Sequence, residues 1–295
     1  MARRANRFST FLIASLILLF AGGPVLLALY GSVVPDRILL DPNITVFDHG
    51  LSFETYRYIF TGELPASYLL EGANRSMISD AARQVPQSLW NSTRIALAAM
   101  VLNILLGAPA AYVFARYAFP GKKMSFMFII LSPLVPTTAL VVPIYMLMQS
   151  LGLIGSIYGI ILVHTAQALP FTVLILSVFF RKLPAELFEA AVLDRCTGLQ
   201  SFIRIAVPLS LPSIGATGLF AFMLSYSEYI FSLVLSGEAR SRPVSVVMAA
   251  LARNTDVSWS LLNTSIFIAV IPTLALVVLV WRFVVEGLLA GSVKG

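Results

Sequence analysis

Six long apolar segments follow one another along the chain, separated by stretches that carry most of the charged residues. Each has roughly the 20 residues that an α-helix needs to cross the hydrocarbon core of a bilayer. The pattern therefore predicts an all-α integral membrane protein, built as one transmembrane domain over residues 1–295. The predicted spans are about 11–33, 89–115, 124–148, 158–180, 214–235 and 261–285.

The basic residues predict the orientation of these spans, because short cytoplasmic loops are enriched in Lys and Arg. Basic clusters precede the first span and follow the second and the fourth, so we expect both termini to lie in the cytoplasm. Three arginines in the predicted outer segment Gly237–Ser260 weaken this bias. The first span could also be a secretory signal, but it is longer than a typical signal core. The clusters are Arg3, Arg4 and Arg7, then Arg116, Lys122 and Lys123, then Arg181 and Lys182.

One polar segment, residues 181–212, interrupts the apolar pattern on the predicted cytoplasmic side. Pro184 suits the first position of a helix, and the acids that follow it favour the positive end of the helix dipole. Gly198 suits a left-handed stop before a second short helix from Leu199 to about Val207. The segment thus predicts an amphipathic helical hairpin that serves as a docking element. Its apolar stripe is Leu187, Phe188, Ala191 and Val192.

Within this segment, Glu189-Ala190-Ala191 is followed at fixed spacing by Ile205 and Pro208. The spacing resembles the EAA loop of ABC-importer permeases, except that Arg195 stands where the pattern has Gly and Val207 where it has Leu. In that family the loop forms a coupling helix that sits in a cleft of the ATP-hydrolysing subunit. The alternative is an ordinary solvated helix whose alanines reflect helix propensity. The resemblance assigns ATPase coupling to Glu186, Glu189, Ala190, Ala191, Asp194, Arg195 and Gly198.

The end of the chain carries a second resemblance. Residues 287–295, GLLAGSVKG, resemble the terminal G-L-T-A-G-A-V-K-G of maltose-type permeases, and Tyr226-Ser227-Glu228-Tyr229 stands where that branch often has W-N-E-F. Together with the hairpin, these segments point to the carbohydrate branch of the family, and to its MalG-like subunits. An importer of glycerol phosphate, an amino acid, a peptide or phosphate is the nearer alternative.

The resemblance also implies the partners and the location of the protein. It implies a second, MalF-like permease subunit, two nucleotide-binding ATPase subunits and an extracytoplasmic solute-binding protein, in the cytoplasmic (inner) membrane of a bacterium or archaeon. The outer segment 237–260 would probe the binding protein, and the C-terminal tail would reach the ATPase dimer. No cofactor is expected on this chain, because ATP and Mg²⁺ would be held by the ATPase subunits. Transport would proceed by alternating access.

Several polar residues inside the predicted spans are candidates for a translocation pathway, because ionisable and polar groups are costly in lipid. Glu228 is an equal candidate for pathway contact and for a structural hydrogen bond. For His164 and Gln167, which share a face of the fourth span, hydrogen bonding between helices is favoured over substrate contact, and the same holds for Asn103. Tyr226 and Tyr229 are the candidates for stacking on a sugar. The full set is Glu228, Tyr226, Tyr229, His164, Gln167 and Asn103.

Composition supports a membrane protein and argues against several other classes. The chain is 58% hydrophobic and 12% charged, whereas soluble domains average about 25% charged residues. The net charge of +6 is explained by cytoplasmic loops and does not require nucleic acid. With one cysteine and two histidines, the sequence does not suggest a metal site. It also has no cluster of carboxylates of the kind that would suggest an enzyme. A secondary transporter would need no ATPase, and the predicted coupling hairpin argues against it.

Overall fold

The computed structural model describes residues 2–40, 50–64, 80–237, 240–254 and 257–292. These ranges contain helices and no strand, which confirms the predicted all-α fold. The α-helices are α1 (Ala2–Ser32), α2 (Asp36–Leu40), α3 (Glu54–Thr61), α4 (Asp80–Arg83), α5 (Val85–Arg116), α6 (Lys122–Leu131), α7 (Thr137–Ser150), α8 (Ile157–Lys182), α9 (Ala185–Leu193), α10 (Gly198–Ser201), α11 (Val207–Leu209), α12 (Leu211–Ser227), α13 (Ile230–Leu235), α14 (Val244–Arg253) and α15 (Trp259–Ser292).

Four of the predicted spans are long, unbroken helices. The first, second, fourth and sixth apolar segments lie in α1, α5, α8 and α15, each of which is long and apolar enough to cross a membrane. Helices α5 and α8 extend at most four residues beyond the apolar segments, whereas α1 begins nine residues earlier and α15 ends seven residues later. Two further pairs of helices bring the number of spans to six if each bent pair counts as one.

The third span is not the continuous helix that the sequence predicts for residues 124–148. A 3₁₀ turn, Ser132–Leu134, follows α6, and the chain then bends by 102° into α7. Val135 has an extended backbone, with ψ of 123°, as expected for a residue that precedes proline. Pro133 and Pro136 therefore break the span between them. Pro143, in contrast, lies inside α7.

The fifth span is also interrupted, so the prediction of one helix over residues 214–235 is wrong. Helix α12 ends at Ser227, Glu228 is extended, and α13 begins at Ile230. The partner of α12 in the second bent pair is the segment Gly198–Leu209, which meets it at 82°. That segment was predicted to belong wholly to the hairpin outside the membrane.

The segment between the first two predicted spans and the predicted outer segment 237–260 are more structured than simple loops. Residues 35–86 contain α2, α3 and α4, and residues 237–260 contain α14. The tail from residue 287 continues α15 as far as Ser292, and residues 293–295 lie outside the described ranges. These short helices lack the long apolar repeats that mark the spans, so hydrophobic length alone did not identify them.

The chain divides into two compact units. The first comprises Met1–Pro86 and Val247–Ile271. Its interior is fastened by polar groups: the Asp36 carboxylate accepts hydrogen bonds from the amide and the hydroxyl of Ser260, both at 2.7 Å. The hydroxyls of Thr55 and Thr264 lie 2.8 Å apart. These bonds satisfy polar groups that would otherwise be costly to bury.

The second unit comprises Gln87–Val246 and Pro272–Gly295, and it contains every predicted site residue. Helices α5 and α8 pack closely within it. A Cβ atom at Gly107 would lie 2.6 Å from the Cγ2 atom of Thr172, so this position requires glycine. Thr172 also donates a hydrogen bond to the side chain of Asn103 at 3.2 Å. Small residues and interhelical hydrogen bonds are typical of packing between membrane helices.

The orientation of the spans can be tested with single cysteines in a Cys196→Ser variant, which removes the one native cysteine. Ala250 on α14 and Glu186 on α9 are both exposed. We expect a membrane-impermeant maleimide to label Ala250→Cys in intact cells and to label Glu186→Cys only after the membrane is opened. The Cys196→Ser variant without an introduced cysteine is the negative control and should not be labelled. External labelling of Glu186→Cys would overturn the proposed topology.

Candidate functional site

The hairpin begins with α9, and a residue in the left-handed conformation follows that helix. Asp194 is the C-cap, and Arg195 has φ of 55°. The amide of Arg195 donates to the carbonyl of Val192 at 3.0 Å, and the amide of Cys196 donates to the carbonyl of Ala191 at 2.9 Å. This pair of bonds is the Schellman motif, which usually has glycine at the left-handed position. The chain has arginine there, so the turn forms with a strained backbone.

The prediction that Gly198 supplies the left-handed stop is therefore wrong. Gly198 is the first residue of α10, after Thr197, whose side chain forms a capping box with Gln200. Glycine has a different role here: a Cβ atom at this position would collide with the hydroxyl of Tyr117. The hairpin turn thus approaches the end of α5 closely, and a larger residue would push the two apart.

The inner face of α9 packs on a cluster of aromatic rings. Ala191 is only 3% exposed and Phe188 is half-buried. The ring of Tyr112 lies 6.0 Å from that of Phe188 and 5.2 Å from that of Phe202, measured between centroids. Phe180 at the end of α8 completes this aromatic cluster, 5.8 Å from Tyr112. The hairpin is thereby packed against the ends of two spanning helices.

Arg116, the last residue of α5, makes two further contacts with the hairpin. Its guanidinium donates a hydrogen bond to the carbonyl of Leu183 at 2.6 Å and lies 4.0 Å from the centroid of the Phe188 ring. The sequence identified Arg116 only as a basic residue that marks the cytoplasmic side. Its position directly after a span with several aromatic residues was the available signal for a contact of this kind.

The outer face of α9 is exposed and mixed in character. Glu186, Glu189, Ala190 and Asp194 are all exposed. The predicted apolar stripe is only partly buried, because Val192 is 70% exposed and Leu193, next to it, is 84% exposed. Exposed apolar side chains next to carboxylates outside an apolar span suit a surface that another protein covers.

A second group of predicted residues forms a polar cluster inside the spans. The Nδ1 atom of His164 lies 2.8 Å from the hydroxyl of Ser225, and its Nε2 atom lies 3.0 Å from the Glu228 carboxylate. The same carboxylate accepts the backbone amides of Phe231 at 2.8 Å and of Ser232 at 2.9 Å. Glu228 thus satisfies the first amides of α13 at the break in the fifth span, and the cluster ties α8 to α12 and α13.

A cavity of about 490 Å³ adjoins this cluster. Three of the six pathway candidates, His164, Gln167 and Glu228, line it, together with apolar residues of the bent third span. Tyr226, Tyr229 and Asn103 are not among its lining residues. Tyr226 stacks on Phe222 at 5.5 Å, and Asn103 is buried between α5 and α8.

Ser225 and Ser232 are partners in the cluster that the sequence did not identify. Serine is common in membrane helices, so its position alone gave no signal.

The comparisons with known proteins agree with the resemblance seen in the hairpin. A family described as binding-protein-dependent transport system inner membrane component matches residues 103–286. The trehalose transport system permease protein SugB of Mycobacterium tuberculosis is 29% identical over 296 residues, covering 100% of this chain and 99% of the relative. The osmoprotective compounds uptake permease protein GgtD of Synechocystis is 34% identical over 209 residues, which cover 70% of each chain. A putative ABC transporter permease of Streptomyces antibioticus is 33% identical over 214 residues, covering 72% of this chain and 93% of the relative.

A solved structure shares the fold. It is a chain from the crystal structure of a bacterial ABC transporter involved in the import of the acidic polysaccharide alginate. The TM-score is 0.72 at 16% sequence identity, and the match covers 96% of this chain and 98% of the other. The likeness at this identity concerns the fold alone.

The left-handed position predicts the effect of changing Arg195. We expect Arg195→Gly to stabilise the hairpin by about 1 kcal/mol, because glycine adopts positive φ without the penalty of a side chain. Arg195→Val is the matched opposite change, since a β-branched residue is least suited to this conformation. Hydrogen exchange of the α9 amides, followed by mass spectrometry, should become slower in the first variant and faster in the second. Equal exchange in both would show that the left-handed turn does not limit stability.

The contacts of Glu228 predict a structural cost for its replacement. Glu228→Gln keeps one acceptor oxygen and replaces the other with an NH₂ group, so one partner among the Phe231 amide, the Ser232 amide and His164 loses its acceptor. We expect a loss of about 1–3 kcal/mol, the usual cost of an unpaired buried polar group. The measurement is the thermal inactivation midpoint of the purified protein. Gln167→Leu, which changes the same cavity wall, should leave the midpoint nearly unchanged, and an equal loss there would contradict the assignment.

Proposed function

This chain belongs to the family of binding-protein-dependent transport system inner membrane components, and we propose that it is the permease subunit of an ATP-driven importer of a sugar or sugar derivative. The observation that carries the proposal is the exposed hairpin, with Glu189-Ala190-Ala191 on a short helix anchored to the ends of two spans. A transporter driven by an ion gradient has no need for such a docking surface. Copurification of a nucleotide-binding subunit distinguishes the two classes.

The anchoring of α9 supports a mechanical role. Because Arg116 and the aromatic cluster hold α9 against α5 and α8, a force applied to its outer face would be passed to both spans. We infer that an ATPase subunit docks on this outer face. Closure of the ATPase pair would then move the hairpin and open the bundle toward the opposite side, as alternating access requires. ATP and Mg²⁺ would be bound and consumed by the ATPase subunits, and this chain would have no catalytic residue of its own.

A second permease of the same family and an extracytoplasmic binding protein complete the proposed assembly. Many apolar side chains of α1, α6 and α15 are exposed, and lipid or the sister permease would cover them. The binding protein would meet the outer segment that contains α14. The cavity beside His164 and Glu228 is the proposed route within this subunit, although its polar groups are already paired with one another.

The sugar assignment rests on two supports. The trehalose permease SugB matches along the full length of this chain, and the C-terminal residues 287–295 resemble those of maltose-type permeases. The name of GgtD refers to osmoprotective compounds and does not specify a sugar. Affinity of the associated binding protein, measured by calorimetry for disaccharides, glycerol phosphates and compatible solutes, would decide the substrate.

Glu189 provides the sharpest test of the coupling role. It is exposed on the outer face of α9, one turn after Glu186, and a carboxylate there can pair with a basic group on the ATPase subunit. Breaking one side of such a partly buried pair costs about 3–5 kcal/mol. We expect Glu189→Lys to abolish transport and to weaken retention of the ATPase subunits, while insertion and pairing with the sister permease remain intact. The measurement is ATPase activity of the purified complex with and without sugar-loaded binding protein.

The matched control is Glu63→Lys, the same charge reversal at an exposed glutamate of the other compact unit, paired there only with exposed Arg57 at 3.7 Å. Surface ion pairs of this kind contribute little, so we expect normal stimulation. Normal stimulation in the Glu189→Lys complex as well would show that α9 is not the coupling element.

A further inference from the structure

The second compact unit, which contains the predicted site residues, has another concave surface. It lies away from the polar cluster, where two spanning segments end. It is a cleft of about 620 Å³ between the start of α6 and the end of α8. Three cations line it: Lys122, Lys123 and Arg181. None of its lining residues is acidic, and none of these cations has a carboxylate partner in the described part of the chain. The cleft therefore concentrates positive charge that the described residues do not neutralise.

The cations are held in place by contacts that leave their charge available. The Lys122 ammonium donates to the carbonyl of Tyr117 at 2.8 Å, which directs the side chain back over the loop. The Arg181 guanidinium lies 5.3 Å from the centroid of the Phe126 ring. Lys123 is exposed. Lys122 contacts a neutral carbonyl and Arg181 a neutral ring. Their positive charges can therefore still attract a negatively charged group into the cleft.

The floor of the cleft is apolar and firmly packed. Phe119 and Phe126 line it, and both rings pack on Phe114 of α5, with centroids 5.6 and 5.3 Å away. The next turn of α6 presents Met124, 61% exposed, and Phe128, 60% exposed. A ligand here would meet cations at one end and exposed hydrocarbon immediately beside them.

This arrangement of charge and hydrocarbon matches the boundary of a bilayer. The apolar part of α8 ends at Phe180, directly before Arg181, and α6 becomes apolar directly after Lys123. Both changes occur at the same end of adjacent helices, which is the level of the lipid headgroups if the helices span the membrane. Basic pockets at this level on the cytoplasmic side suit anionic lipid headgroups.

We propose that this cleft binds an anionic phospholipid, with the phosphate between Lys123 and Arg181 and the acyl chains along Met124 and Phe128. The proposal rests on the proposed function, because it requires α6 and α8 to end at the cytoplasmic membrane surface. A free phosphate would use the cations alone, whereas a phospholipid also covers the exposed apolar side chains of α6. Because Arg181 adjoins the hairpin, a bound lipid would also steady the end of α8.

The test measures lipid binding to the assembled complex by native mass spectrometry. Phosphatidylglycerol is added to the complex in detergent, with phosphatidylcholine as the uncharged reference lipid. We expect the wild type to retain phosphatidylglycerol selectively. In a Lys123→Gln/Arg181→Gln variant, we expect its affinity to fall about thirtyfold, or roughly fivefold for each charge, since one basic residue near a membrane surface contributes about 1 kcal/mol.

The matched control is Lys182→Gln. Lys182 follows Arg181 directly and is exposed at the same helix end, but it does not line the cleft and lies instead beside Phe179, 5.6 Å from its ring centroid. We expect phosphatidylglycerol affinity to be unchanged there. Equal losses in the control and the double variant would overturn the proposal, because they would reflect overall charge and not a site.

Three further outcomes would also overturn it. One is an absence of preference for phosphatidylglycerol in the wild type. Another is displacement of the lipid by glycerol phosphate at equal concentration, which would indicate a free-anion site. The last is loss of the ATPase subunits from the double variant without any lipid present, which would mean that a protein partner covers the cleft. Sugar-dependent ATPase stimulation, measured in phosphatidylcholine alone, reports separately on the proposed function, so the two failures are distinguishable.

Discussion

A polar hairpin has to be held against an apolar bundle, and the contacts that hold it govern how the helix ends around it are arranged. The hairpin lies beyond the apolar part of α8, so lipid cannot hold it, and α9 with nine residues is too short to be stable alone. Arg116 holds the hairpin in place through two contacts, one with the carbonyl of Leu183 and one with the ring of Phe188. The arrangement has a cost, since the buried Nε atom of Arg116 has no hydrogen-bond acceptor among the described residues. A hydrogen bond from a charged donor contributes about 1.5–3 kcal/mol and the ring contact about 0.5–2 kcal/mol, which together offset a penalty of about 1–3 kcal/mol.

Buried backbone amides and carbonyls need hydrogen-bond partners, and this requirement explains where the spans break. Inside a membrane, a helix can end only where other groups satisfy its free amides and carbonyls. Between α12 and α13 the carboxylate of Glu228 does this for two amides, and His164 of α8 fixes the position of that carboxylate. The third span breaks where Pro133 and Pro136 remove amides, and the cavity lies beside it. The cavity is lined by residues at both breaks, and the polar cluster lies at the second of them.

The sequence predicted those features that depend on local chemistry. Hydrophobic length predicted the unbroken helices α5 and α8 to within four residues at each end, and Pro184 with the acids after it placed α9 within one residue of its observed start. The sequence did not predict the left-handed turn at Arg195, because arginine gives no hint of it and Gly198 three residues later offered a better local candidate. The break at Glu228 was missed for a different reason: the contact that positions its carboxylate comes from His164 of α8, 64 residues away. The short helices α3 and α14 were missed because, at 8 and 10 residues, they are far shorter than a membrane span.

In the coupling role that we propose for α9, its two faces have different functions, and transmission of force requires both. The inner face must be rigid, and there Ala191 is buried while Phe188 lies beneath Arg116. The outer face must accept a partner, and there Glu189 and Leu193 are exposed. A change on the inner face loosens the hairpin whether or not a partner is bound, whereas a change on the outer face alters docking without loosening the hairpin. Because α9 has only nine residues, it offers little length over which bending could absorb either defect. The proposed coupling therefore depends on two local equilibria, attachment of the inner face and docking of the outer face. The strained turn at Arg195 directly follows α9 and so bears on the first of them.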